Sequence, residues 1–325
     1  MKTLVVIPTL NEAEHIAQTI HGLRGFVGRH PALVVVVDGG SQDSTRATVK
    51  RMQRARPWLH LLDNPERYQS AGINRAVAQY GNDCELLIRI DAHADYPADF
   101  CDILVAEAEA QSADSVVVSM RAVGKTPLQK LIAEAQNSRF GNGSAAHRNA
   151  SDGRWVDHGH HALMRLPVFN IVGGYDPSFS HNEDAELDYR LRLAGHSIWL
   201  TAKTEMEYHP RQSIKPLMRQ YFFFGQGRAR NFAKHHARPG ARQCLVMALV
   251  PALLLTVFVP FSAIFIWPLL VWVLGCLVAG LSLAIAHKDH RSLATGFLAG
   301  LMQVSWSAGY WVQVLRQRFT PSRGI

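Results

Sequence analysis

Between Gln243 and Ala286 the chain has no Asp, Glu, Lys or Arg, and between Leu293 and Leu315 it again has none. A membrane-crossing helix takes roughly 20 apolar residues, so the first stretch is long enough for two spans and the second for one. Pro251, Pro260 and Pro268 interrupt the first stretch, and the Trp267-Pro268 step suits a tight hairpin. A buried pair of globular helices is the alternative, although soluble helices of this length usually carry a charged face. Cysteine is scarce: Cys84, Cys101, Cys244 and Cys276 show no paired spacing, which supports neither a disulfide framework nor a zinc site. There is no internal repeat and no low-complexity tract. The first residues, Thr3–Ile7, read as a strand rather than a signal sequence.

The 325 residues are 48% hydrophobic, enough for one sizeable domain besides the apolar segments. The net charge is +8, with Arg211, Lys215, Arg219, Arg228, Arg230, Lys234, Arg238 and Arg242 gathered ahead of the first apolar stretch. Such clusters stay on the cytoplasmic side and are drawn to anionic headgroups. No nucleic-acid-binding signature accompanies them, so no nucleic-acid partner is expected. Residues 213–236 add Tyr221-Phe222-Phe223-Phe224 to these cations, which predicts a helix lying in the membrane interface. Three spans would put Arg316, Arg318 and Arg323 outside, against the positive-inside tendency, so one segment is expected to be re-entrant or interfacial.

Before residue 210 strand and helix signals alternate. Thr3–Ile7 and Leu33–Asp38 are short apolar runs of the kind found in a sheet covered on both faces. Glu12–Leu23 reads as a helix behind Asn11 as a cap, and Ser44–Arg54, Ser70–Gln79 and Ala98–Gln111 as further crossover helices. Glu85–Asp91 and Ser115–Arg121 read as later strands. The pattern predicts an open α/β sheet, whose ligands bind beyond the carboxyl ends of the strands. Arg139–His158 lacks periodicity and is expected to be a mobile loop able to cover an acceptor.

The candidate chemistry falls at those strand ends. Asp91-Ala92-His93 follows the apolar run Leu86–Ile90. On an extended backbone the carboxylate and imidazole, two residues apart, point the same way and can reach one divalent ion that holds a diphosphate. In Val6-Ile7-Pro8-Thr9-Leu10-Asn11-Glu12, a strand end and proline turn can offer backbone groups and the Asn11 or Glu12 side chain to a nucleoside, or Asn11 merely caps. Asp38, at the tip of the second strand, can accept the imide N–H of a uracil ring, while Gly39 and Gly40 let the backbone approach the base. Ser70-Ala71-Gly72-Ile73-Asn74-Arg75 opens a helix with small residues suited to close packing or to a phosphate. After Gly173-Gly174-Tyr175-Asp176, the run Asn182–Arg192 marks a helix with Glu183 and Asp184 at its amino end. There the helix field keeps a carboxylate ionised, as a general base requires, or the pair simply caps. Of His158, His160, His161 and His209, the last is the preferred metal candidate.

VVIPTLNE, VVDGGSQDST, SAGIN, IRIDAHAD, GGYD and NEDAELDYRLRLAG, in this order over about residues 3–236, make the chain resemble the inverting GT-A glycosyltransferases of family 2. More narrowly, it is similar to the membrane-anchored succinoglycan-type glucosyltransferases of bacterial exopolysaccharide synthesis. The resemblance implies a GT-A (Rossmann-like) open mixed sheet with helices on both faces, over residues 1–210. A basic aromatic interfacial region at 211–242 and two to three transmembrane helices at 243–325 would follow, in the inner membrane with the catalytic domain cytoplasmic. It implies that Pro8, Thr9 and Glu12 line the nucleoside pocket and that Asp38 binds uracil. Gly39, Asn74, Asp91, Ala92 and Glu183 would join them around the nucleotide sugar. Asp184 would be the catalytic base, and Asp91, His93 and His209 would hold Mn²⁺ or Mg²⁺, with His93 in place of the usual second acid.

The implied activity is transfer of a sugar, glucose, from a UDP-sugar to a polyprenyl-diphosphate-linked saccharide. A polyprenyl-phosphate glycosyltransferase and a catalytically degenerate membrane assembly component are the alternatives. Gly39 stands where a second acid is frequent and Ile73 where many members have Arg. No Gln-x-x-Arg-Trp sequence follows the helix, which argues against the processive synthases.

Overall fold

The structure, a computed structural model, describes residues 1–142 and 152–319. In chain order its elements are β1 (Thr3–Thr9), α1 (Ile16–Gly22), α2 (Arg24–Arg29), β2 (Ala32–Asp38), α3 (Thr45–Gln53), β3 (Leu59–Asp63), α4 (Gln69–Tyr80) and β4 (Leu86–Arg89). Then follow α5 (Phe100–Ala110), β5 (Ser115–Ala122), α6 (Pro127–Asn137), α7 (Arg139–Asn142), β6 (Arg154–Trp155), β7 (His160–Arg165), α8 (Leu166–Ile171), α9 (Glu183–Leu193) and β8 (Ile198–Tyr208). The last are α10 (Ile214–His235), α11 (Ala241–Leu254), α12 (Trp267–His287) and α13 (Leu293–Phe319). The chain divides into two compact units, Met1–Arg121 with Ala146–Tyr208, and Ala122–Ala145 with His209–Ile325.

The first unit is built on a sheet in the order β3-β2-β1-β4-β7-β5-β8-β6. β1 to β4 run parallel, whereas β7 lies antiparallel to both β4 and β5, so the sheet is mixed. Alternating side chains feed two cores. Val5, Ile7, Val34, Val36, Leu86 and Ile88 face one apolar layer with Phe26, Val49 and Leu104. Leu4, Val6, Val35, Val37 and Leu87 face the other, with Ile73, Phe169 and Leu187. By the same alternation Arg89 falls on the second face.

Several local expectations change. The first helix begins at Ile16 rather than Glu12, and Asn11 does not cap it: Asn11 has φ +58° and its Oδ1 accepts the Gln42 N–H at 2.9 Å, tying β1's turn to the loop after β2. β3, β7 and β8 were not legible as strands, because each carries polar residues that break the apolar runs. The expected 139–158 loop contains α7 and β6 at its ends, and its middle, 143–151, lies outside the described residues.

In the second unit Thr126 and Gln129 close a capping box ahead of Pro127, which starts α6 where proline is tolerated. Ile132, Ala135, Leu217, Leu298, Ala299 and Met302 join α6, α10 and α13 in one small core. α10 and α13 approach closely: a Cβ at Gly225 would collide with the Trp306 carbonyl, and one at Gly309 with that of Phe222. Among the described residues, two helical segments, Ala241–Phe258 and Ala263–His287, are long and apolar enough to cross a membrane. The expected third, Leu293–Leu315, is not one of them. It buries Thr295, Ser305 and Ser307, and its small and polar residues serve helix packing instead.

Candidate active site

The parallel strands β2, β1 and β4 end at one edge. Thr9 pairs with Asp38 and Val6 with Arg89, so the tip of β2 and the turn after β4 flank the end of β1, two strand spacings or roughly 10 Å apart. Asp38 is 1% exposed. Its Oδ2 accepts the Gly40 and Ser41 N–H groups at 3.1 Å and Arg46 Nη1 at 2.7 Å. Burial opposes its charge, but hydrogen bonds from Ser41, Arg46 and Gly40 hold the carboxyl below its ordinary range. Oδ1 is buried without a hydrogen-bond partner, an acceptor that an imide N–H would satisfy.

Pro8 is half-buried, and the Thr9 hydroxyl donates to the Val37 carbonyl at 3.3 Å. The Gly39 N–H donates to the Thr9 carbonyl at 2.8 Å. Glu12 is held by its N–H on Thr45 Oγ1 at 2.8 Å, and its Oε1 lies 2.9 Å from His93 Nδ1.

Beyond β4 the backbone turns rather than continuing extended, with the Ala94 N–H 3.3 Å from the Asp91 carbonyl. Asp91 and His93 therefore diverge. Asp91 Oδ1 accepts Arg89 Nε at 3.1 Å and Gln69 Nε2 at 3.0 Å, while the Asp91 N–H donates to the Tyr96 hydroxyl at 2.8 Å. Ala92 is buried, and its carbonyl accepts the Thr19 hydroxyl at 2.9 Å. Burial works against the Asp91 charge, but Arg89 and His160 outweigh it and hold the carboxyl far below its usual value. A carboxylate and an imidazole are residue types that suit a divalent ion, but here Asp91 turns to Arg89 and His93 to Glu12. Among the described residues no three His, Cys, Asp or Glu side chains gather as a metal cage.

α9 starts after Asn182, which adopts φ +62°. Asp184 Oδ1 accepts Arg89 Nη1 at 2.8 Å and stands 3.4 Å from His161 Nδ1, and its Oδ2 is 3.6 Å from His160 Nδ1. His160 Nε2 is also 3.6 Å from Asp91 Oδ2. Burial is again opposed by Arg89 and the histidines, so Asp184 stays ionised with a lowered pKa. Burial and the Asp184 charge push neighbouring Glu183 up to about 7. Burial and Arg89 push His160 down to about 4, leaving it neutral.

Asp38, Asp91 and Asp184 thus lie in the first unit, the last two joined by Arg89. Asn74, expected near the nucleotide, uses both ends of its amide on Tyr175: Nδ2 donates to the carbonyl at 2.7 Å and Oδ1 accepts the N–H at 2.9 Å. His209 lies in the second unit, its Nδ1 3.0 Å from the Val123 carbonyl. Sequence reasoning passed over Arg89, Tyr175 and Asp188. The two-residue period of β4, which puts Arg89 on the face of Leu87, was the available signal for the first, and the four-residue step from Asp184 for the last.

The profile of glycosyl transferase family 2 matches residues 4–172. The chain is 49% identical over 313 residues to succinoglycan biosynthesis protein ExoA of Rhizobium meliloti (strain 1021), covering 96% of this chain and 95% of that protein. It also superposes on the mannosyltransferase PcManGT of Pyrobaculum calidifontis, solved in complex with GDP-Man and Mn²⁺, with a TM-score of 0.55 and 19% identity, covering 96% of this chain and 86% of that one. The fold is that of a GT-A-like glycosyltransferase. The chain belongs to glycosyl transferase family 2.

Proposed function

We propose that this protein is an inverting glycosyltransferase that moves glucose from UDP-glucose to a lipid-linked saccharide during exopolysaccharide assembly. The observation that carries this reading is Asp184, ionised at the start of α9 and bound through Arg89 to the carboxylate at the end of β4. Extensive similarity to a succinoglycan biosynthesis protein supports the pathway class.

Asp38 would receive the uracil imide on its unpaired oxygen, with Pro8, Thr9, Gly39 and Glu12 shaping the nucleoside pocket. Asp91 and His93 would hold Mn²⁺ or Mg²⁺, which when bound supplies positive charge to the diphosphate leaving group. Asp184 takes the proton from an acceptor hydroxyl as that oxygen attacks the anomeric carbon, and the bond to the diphosphate oxygen breaks on the opposite face. One displacement converts an α-linked donor into a β-glycoside.

Residues 1–210 would form the catalytic domain and 211–242 an interfacial region. α11 and α12 would cross the inner membrane as a hairpin, keeping the enzyme near its polyprenyl-diphosphate-linked acceptor. α10 carries Lys215, Arg219, Arg228, Arg230 and Lys234 and lies against α13, so a span through α13 would draw those cations into lipid. α13 accordingly stays at the cytoplasmic surface with Arg316 and Arg318, consistent with the positive-inside tendency.

The test uses the full chain in detergent with UDP-glucose and either lipid-linked saccharide or polyprenyl phosphate. Transfer to the saccharide, lowered by about 10²–10⁴ in Asp184→Asn while UDP still binds, is expected. Transfer only to the bare phosphate would overturn the acceptor assignment, and full activity of Asp184→Asn the base.

A further inference from the structure

Asp188 lies one helical turn after Asp184 on α9, so both carboxylates leave the same face. It is 1% exposed, and all its polar contacts lead to one short segment. Oδ1 is 2.7 Å from His161 Nε2, while Oδ2 is 2.7 Å from His158 Nδ1 and accepts the Gly159 N–H at 3.2 Å. A buried carboxylate with this many partners orients what it binds. The far side of the His161 ring meets the Tyr175 hydroxyl at 2.7 Å and Asp184 Oδ1 at 3.4 Å. Asn74 holds the main chain of Tyr175 at both its N–H and its carbonyl.

We propose that Asp188 and His161 form a buried positioning pair behind the catalytic carboxylate: His161, oriented by Asp188, fixes the direction of Asp184 and keeps it charged for the acceptor hydroxyl. The inference rests on the reading of Asp184 as the base. His161 Nε2 faces the acceptor-only Asp188 carboxylate, and Nδ1 has the Tyr175 hydroxyl at 2.7 Å with the Asp184 carboxylate behind it at 3.4 Å, so an acceptor is within reach of both ring nitrogens. Burial opposes that charge, but Asp188 and Asp184 outweigh it and raise the His161 pKa. The groups facing Asp184 are Arg89 from β4, His160 and His161 from β7, Glu183 and Asp188 from α9, and Tyr175. Arg89 is the permanent cation among them, and His161 is the imidazole whose pKa is raised. Arg89 also serves Asp91, whereas His161 is tied back to Asp188.

The test pairs kinetics with histidine NMR on the full chain in detergent. In His161→Gln the acid limb of kcat should move up by about one pH unit, a tenfold change in the proton equilibrium of the base, while at neutral pH, where Asp184 stays ionised, kcat should fall only through lost orientation, with the donor KM unchanged. A purely structural role would lower kcat at every pH without moving that limb. Independently of turnover, His161 in the parent protein should titrate above the ordinary histidine value of about 6.5, and Asp188→Asn should return its titration toward that value. A His161 that titrates at or below about 6.5 in the parent, or an unmoved acid limb in a His161→Gln protein that melts like the parent, would overturn the proposal. Absence of sugar transfer by the parent would instead sink the base reading, and the NMR titration would still decide the pair.

Discussion

Arg89 Nη1 lies 2.8 Å from Asp184 Oδ1, and its Nε lies 3.1 Å from Asp91 Oδ1. A single guanidinium, 8% exposed, therefore links the carboxylate expected beside the donor diphosphate to the one expected to activate the acceptor. Its burial leaves little solvent to replace those partners, so its worth lies in holding two anions that would otherwise repel.

Replacing Arg89 by Leu should cost stability as well as rate. Removing one member of a buried ion pair leaves uncompensated charge at a penalty of about 3–5 kcal/mol, so the melting temperature should drop by several degrees. Arg89→Lys should recover part of the loss, because it restores the charge without the fork. Thermal unfolding in detergent checks this. An Arg89→Leu protein that melts with the parent would mean that the carboxylates are compensated elsewhere.

Asp38→Asn should weaken UDP binding by about 1.5–3 kcal/mol, the worth of a hydrogen bond to a charged group. The amide replaces an acceptor with a donor and weakens the hold of Arg46, which reaches both Asp38 at 2.7 Å and Asp63 at 2.6 Å. Calorimetric titration of UDP reads the change. Unaltered affinity would remove Asp38 from the nucleoside pocket.

Acid and base should destabilise the protein for different reasons. Asp91 and Asp188 have folded pKa values depressed by Arg89 and His161 respectively against the effect of burial. Their stabilisation is complete above the unfolded value of about 3.9 and fades as pH falls from there through the depressed folded values. His161 has a raised folded value, so its contribution is complete below about 6.5 and disappears as pH rises through that higher folded value. Melting temperature against pH should accordingly peak between these limits. A curve that keeps rising through the alkaline side would contradict a charged His161.

The parallel start of the sheet could be read early because β1, β2 and β4 are nearly continuous apolar runs ending in polar residues. α3, α4 and α5 also fell within a residue or two of expectation, since their apolar spacing and breakers are local. The geometry after β4 was misjudged. An extended strand would aim Asp91 and His93 together, but the turn at Ala92 and His93 sends one toward Arg89 and the other toward Glu12. Besides the nearby Tyr96, Thr19 of α1 holds that turn's backbone, and no local pattern announces a partner so distant in the chain.

By itself the sequence determined the residue types available at each strand end, the order of the motifs and the place of the charge-free segments. Those properties depend on neighbours a few positions away and on solvent partition of the side chains. Only the tertiary structure decided that Arg89 reaches Asp184, ninety-five residues on, that Asp188 supports His161, and that Asn74 grips Tyr175. Such pairings exist only once β7 inserts antiparallel beside β4, since burial at that junction leaves each charge dependent on a partner that the fold alone brings near.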